Sequence, residues 1–313
     1  MNTHEHTHEI PENGMDRRLW ATVALNTVIT LAEFVAGLVS GSLALLSDAA
    51  HNLSDVIAVL LALVARRFGR RPPTTRHTYG LKRIEVIAAL VNAVTLIAVT
   101  ALIIREAVVR LLHPEPVAQG IMLAVGMVAL VANIGSVLLL RGHDKDDVNV
   151  RAAFLHMAQD ALASLAVVIA ALFARTGAGP YVDAIAALLV GLVVLRSALS
   201  LAWDTLSTIL EGVPADVDIA EMAQSVLRAF IPASIHHVHV WELGPGRRLL
   251  TAHVTVGQQM DIQGVEVLLC RLKGYLHEQY GIDHATLEPE MTGCAQAELL
   301  GQCEPVHDDD HDE

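Results

Sequence analysis

Six apolar runs, each about 20 residues long, occupy the first two thirds of this 313-residue chain. They lie near Leu19–Ser40, Leu43–Ala65, Ile84–Arg105, Val117–Leu140, Ala152–Ala174 and Tyr181–Trp203. Hydrocarbon offers no water to backbone N–H and C=O groups, so runs of this length cross a bilayer as helices. Composition agrees with that solution. Apolar residues make up 53% of the chain but aromatics only 4%, and the mean hydropathy is +0.47. The apolar mass is therefore Ala, Val, Leu and Ile, the residues of packed membrane helices. The expected architecture is an α-helical membrane protein with six transmembrane helices.

Basic residues orient the spans, because cytoplasmic connections retain Lys and Arg. Arg17 and Arg18 precede the first span, and Arg66, Arg67, Arg70, Arg71, Arg76, Lys82 and Arg83 fill the second connection. Arg141, Lys145 and Arg151 fill the fourth, whereas Arg110 and Arg175 are alone at the edges of the third and fifth. Both termini are thus expected in the cytoplasm. The compactness of the chain points to a bacterial inner membrane.

Charge marks a second region. From Val213 onward there are 17 Asp and Glu against 5 Lys and Arg, which accounts for 12 of the 13 net negative charges. Patterning there reads helix at 216–230, strands at 236–243 and 248–256, helix at 262–280 and strand at 284–290. This order predicts a small α+β domain, ferredoxin-like and metallochaperone-like, with an antiparallel-type sheet. The domains are then a His-rich tail at 1–18, a membrane domain at 19–212, a cytoplasmic domain at 213–291 and an acidic tail at 292–313. No basic nucleic-acid footprint is present. The first residues lack the pattern of a cleavable signal peptide. Cys270, Cys294 and Cys303 form no CxxC, as suits a reduced compartment.

Two of the apolar runs carry the same expensive pattern, His-x-x-x-Asp. It occurs as His51 to Asp55 in the second run and as His156 to Asp160 in the fifth. On a helix, residues four apart share a face, about 6 Å apart along the axis. Two imidazoles and two carboxylates suffice for one tetrahedral zinc-like shell. Titratable groups buried at bilayer depth mark ion pathways by default. Asp48 precedes His51 by three residues, either to fix its tautomer or to stand at the helix end. Asn26, Glu33, Asn52, Asn92, Asn133 and Gln159 fit interhelical hydrogen bonding, and Glu33 also suits passage of a cation or proton.

With these ligands, the SLALLSDAAHNLSD run, HTYGLKRIE at the start of the third span and LEGVP after the sixth, the chain resembles the cation diffusion facilitator family of zinc and divalent-metal transporters. The resemblance implies a homodimer that exports Zn²⁺ in exchange for protons. It joins His51, Asp55, His156 and Asp160 into one intramembrane site, and His at both first-ligand positions resembles the zinc-preferring variant. It also implies regulatory Zn²⁺ in the C-terminal domain at positions like His236, His253, Glu288 and Glu290. Leu81 stands where some members have a second His beside one matching His77, so no loop site is expected.

The ligand chemistry supports exchange independently of the resemblance. Zinc requires neutral imidazole and ionised carboxylate, so loading releases protons, and histidine titrates near physiological pH. No Walker A sequence is present, which favours a secondary transporter over an ATP-driven pump. Two rival readings remain: an intramembrane metalloenzyme using the same ligands, and a membrane-anchored zinc sensor centred on the C-terminal domain. His4-Glu5-His6-Thr7-His8 matches HExxH only formally, in a polar tail without a catalytic fold.

Overall fold

Helices account for the apolar runs in the computed structural model, which describes residues 27–69, 71–140, 148–231, 233–256, 260–291 and 299–300. The His-rich tail, the start of the first predicted span, residues 141–147 and most of the acidic tail lie outside these. The chain divides into two compact units. One comprises the residues up to Leu63 with Val91–Ala202, and the other Val64–Leu90 with Trp203 onward.

Six helices supply the first unit or pass through it: α1 (Thr27–Ser40), α2 (Leu43–Gly69), α3 (Ile84–Leu112), α4 (Gln119–Leu140), α5 (Val148–Phe173) and α6 (Gly179–Ile209). Among the described residues, the last five contain stretches long and apolar enough to cross a membrane. The α1 segment is apolar but shorter. The burial pattern reverses that of a soluble bundle. Fully buried positions are largely alanine, including Ala44, Ala107, Ala170, Ala171 and Ala187. Large side chains such as Leu102, Val128 and Leu162 are more than 60% exposed. Small residues let helix backbones approach closely where lipid removes any hydrophobic drive between helices. Gly126 shows the closeness, since a Cβ there would meet Val167 Cγ1 of α5 at 3.0 Å.

The α1–α2 turn needs a left-handed residue, and Gly41 supplies it at φ 72°. Asp183 of α6 caps the start of α2, where helix N–H groups lack intrahelical partners. Its carboxylate accepts from Ser42 Oγ at 2.6 Å, Leu43 N at 2.9 Å and Ala44 N at 3.3 Å. Arg110 of α3 donates to the Gly41 carbonyl in the same turn.

In the second unit, α7 (Ile219–Ala229), β1 (Ser234–Gly244), β2 (Arg247–Thr255), α8 (Ile262–Tyr280) and β3 (Ile282–Glu290) follow the predicted order. Asp218 and Asp261 cap the helices. Gly281, left-handed at φ 65°, ends α8. The sheet order is β1-β2-β3. β1 and β2 form an antiparallel hairpin, but β3 pairs parallel to β2, so the sheet is mixed rather than antiparallel. The cause is α8, which returns the chain to the starting edge as parallel pairing requires. Met222 and Val226 of α7 and Leu272 and Leu276 of α8 pack on Val238, Val240, Leu250 and Val254 of the sheet.

Candidate metal-binding site

The two His-x-x-x-Asp pairs sit on α2 and α5, and they face each other within the first unit. His51 Nε2 lies 3.4 Å from Asp160 Oδ1 and 3.9 Å from its own Asp55. His156 Nε2 lies 3.2 Å from Asp55 Oδ2 and 3.7 Å from its own Asp160. Each imidazole is therefore nearer the carboxylate of the other helix. The ring centroids are 5.7 Å apart and nearly perpendicular. Donor atoms of His51, His156 and Asp160 all lie within 4.8 Å of one another. A tetrahedral zinc with bonds of about 2 Å holds its ligand atoms about 3.3 Å apart, so small rotations would suffice. Asp160 is only 4% exposed, whereas Asp55 and His156 are half-buried and form the open side. An apolar cavity of about 360 Å³, lined by Leu189 and Val193 of α6, reaches His51.

Buried polar links surround this cluster. Glu33 of α1 accepts from Asn52 Nδ2 at 3.0 Å. Asn92 of α3 donates to Ser54 Oγ at 3.0 Å. Asn133 of α4 donates to Ser164 Oγ at 3.0 Å, and Ser164 Oγ donates to Asp48 at 3.1 Å. Asp48 thus joins α2 to α5. It does not fix the tautomer of His51, whose Nδ1 has no hydrogen-bond partner among the described residues. The Asp183 cap was not read from sequence. A lone acid at the start of an apolar run resembles a span boundary, and only the fold shows the helix end that it serves.

A second cluster lies on the sheet. His236 of β1 stands opposite His253 of β2, and His253 opposite Glu288 of β3. Glu290 approaches both imidazoles, at 3.1 Å from His236 Nε2 and 2.5 Å from His253 Nδ1. Glu288 is exposed at the rim, 3.8 Å from His253 Nε2. A bulge between His236 and His239 places His237 at φ 51°, with its ring 4.9 Å from that of His253. Burial, followed by the neighbouring imidazoles of His253, His236 and His239, holds His237 below the usual histidine range. His277 and His284 join no such cluster among the described residues, and neither does His77.

Residues 19–210 match the cation efflux transmembrane domain. The chain belongs to the cation efflux family, the cation diffusion facilitators. This cation efflux protein is 42% identical to the zinc transporter ZitB of Escherichia coli (strain K12) over 297 residues, 93% of each chain. It is 35% identical to the metal cation efflux system protein CzcD of Cupriavidus metallidurans, over 94% of this chain and 92% of that one. It is 32% identical to the cadmium, cobalt and zinc/H(+)-K(+) antiporter of Bacillus velezensis, over 92% and 91%. Membership makes the protein a multi-pass membrane transporter and not an enzyme, which removes the metalloenzyme reading.

Proposed function

We propose that this cation efflux protein exports Zn²⁺ in exchange for protons, with His51, Asp55, His156 and Asp160 as the transport site. The observation that carries the reading is the crossed geometry: two His-x-x-x-Asp pairs from two membrane helices meet within 3.9 Å. Relatives named as zinc transporters and as a cadmium, cobalt and zinc/H(+)-K(+) antiporter agree with it. The carboxylates supply the charge that a divalent cation needs when stripped of water. The imidazoles add zinc preference and must be neutral to ligate, so metal and protons compete for the same atoms. In the cytoplasm-facing state the site loads zinc; facing the opposite side, protons displace it.

The topology that serves this cycle has six spans, the first beginning near Leu19, with both termini in the cytoplasm of a bacterial inner membrane. The working unit is a homodimer whose C-terminal domains are ferredoxin-like. His236, His253, Glu288 and Glu290 there form a regulatory zinc site, whose two imidazoles and carboxylates are suitable zinc donors. A sensor without flux is disfavoured, because the family match covers the membrane helices.

Transport by purified protein in liposomes under an imposed pH gradient tests the proposal. Zinc flux and opposing proton flux are expected together, both lost in Asp55→Ala at normal protein levels. Near-normal zinc flux in that variant, or zinc flux without proton movement, would overturn it.

A further inference from the structure

The HTYGLKRIE stretch has no role in the zinc site, yet it lines a sizeable cavity in the second unit. That cavity, about 460 Å³, is walled by the connection between α2 and α3 on one side and by β1, β2 and β3 on the other. Three cations line it: Arg71, Lys82 and Arg247. Two sequence neighbours are neutralised by carboxylates. Arg83 pairs with Glu211 at 2.7 Å, and Arg248 pairs with Asp216 and Glu242 at 2.7 and 2.9 Å. Arg71, Lys82 and Arg247 have no ion-pair partner among the described residues. Arg247 is moreover one of only 5 basic residues after Val213, against 17 acidic ones. Positive charge without a paired carboxylate thus collects in one cavity, two cations coming from the basic connection and one from the acidic C-terminal region.

The remaining lining suits an anion that only accepts hydrogen bonds. Thr78 and Tyr79 bring hydroxyls, and His284 an imidazole. Asp283 is the lone acid in the lining, and its carboxylate already accepts the Arg248 N–H at 3.2 Å. The Arg71 guanidinium is steadied over the Phe68 ring, 4.7 Å from its centroid. Location adds to the case. The connection joins the ends of two apolar helices, where phospholipid headgroups lie and where basic pockets take anionic ones.

We propose that the cavity walled by Arg71, Lys82 and Arg247 is a binding site for a phosphate-bearing anion. The phosphate oxygens engage the three cations, and Thr78 and Tyr79 donate at the rim. An anionic lipid headgroup and a soluble phosphate ester share this chemistry. The site is independent of the zinc cluster, so zinc flux is not its readout.

Full-length protein in neutral detergent is titrated with dihexanoyl-phosphatidylglycerol, with inorganic phosphate and with dihexanoyl-phosphatidylcholine, whose choline offsets its phosphate charge. Saturable binding of the first or second is expected, and none of the third. Binding should weaken about tenfold or more for each cation removed, first in Arg71→Gln with Arg247→Gln, and should persist in Arg247→Lys. If that double variant misfolds, Lys82→Gln alone carries the comparison. Phosphatidylglycerol binding far tighter than phosphate identifies a lipid site, and equal affinities identify a soluble ester; either supports the proposal. It is overturned if neither anion saturates, if phosphatidylcholine binds equally well, or if neutralising the cations leaves affinity unchanged.

Discussion

Replacing Asp160 by Asn isolates what one carboxylate contributes to the transport site. The change is nearly isosteric, and it removes the charge that lies 3.4 Å from His51 Nε2 and 3.7 Å from His156 Nε2. A four-ligand zinc site is worth about 10–16 kcal/mol, so one ligand accounts for roughly 3 kcal/mol. At about 1.4 kcal/mol per decade, Asp160→Asn should weaken zinc binding by about two orders of magnitude. Burial ranks the two carboxylates. The Asp160 side chain is 6% exposed, and that of Asp55 is 36% exposed, so water can compensate part of the loss at Asp55 but little at Asp160. Asp55→Asn is therefore expected to be milder. Equilibrium zinc titration of purified protein measures both, provided that the sheet cluster is first silenced by His253→Ala with Glu290→Gln. A shift of less than about threefold in Asp160→Asn, or a larger loss in Asp55→Asn, would refute the assignment and its burial argument.

Three further outcomes follow from the fold. Asp183→Ala removes the carboxylate that caps α2, so thermal unfolding in detergent should show a loss of about 2 kcal/mol. Unchanged stability would show that the cap is dispensable. Gly126→Leu forces side-chain atoms into Val167, at a cost of about 1–3 kcal/mol, and should also slow zinc flux by displacing the helix that carries His156 and Asp160. The third concerns Asp216, whose carboxyl the Arg248 guanidinium holds below the usual range. A lowered folded pKa stabilises above the unfolded value of 3.8 and is lost as pH falls through the folded one. Asp216 is exposed, so the effect stays under about 1 kcal/mol. Unfolding followed at Trp241 should show wild type more stable than Asp216→Asn at pH 7, with the difference shrinking only as pH falls below 3.8 and through the lower folded value.

The membrane ligands were legible because helical periodicity is local. His51 and Asp55 share a face by spacing alone, and so do His156 and Asp160. The crossed pairing between them was not legible, because it depends on how α2 and α5 pack. Strand positions in the C-terminal unit were readable from alternation. The direction of β3 was missed, since a period of two is the same either way along a strand, although α8 before it implied a crossover. Glu290 and Glu288 point to one side by spacing. Only the approach of β3 to His236 and His253 shows that Glu290 reaches both rings while Glu288 remains at the rim. The bulge that turns His237 beside them has no residue signature, because a positive φ at histidine is a consequence of the surrounding fold.

The alanine lining between the membrane helices has a kinetic consequence. Interlocked leucines would have to change rotamers for one helix to slide past another, whereas methyl groups have none to change. Shear between α2, α5 and their neighbours therefore meets a smooth surface, and the resistance concentrates in a few polar latches: Glu33 with Asn52, Ser164 with Asp48, and Ser54 with Asn92. The temperature dependence of turnover should then report the opening of these latches rather than the melting of a packed core.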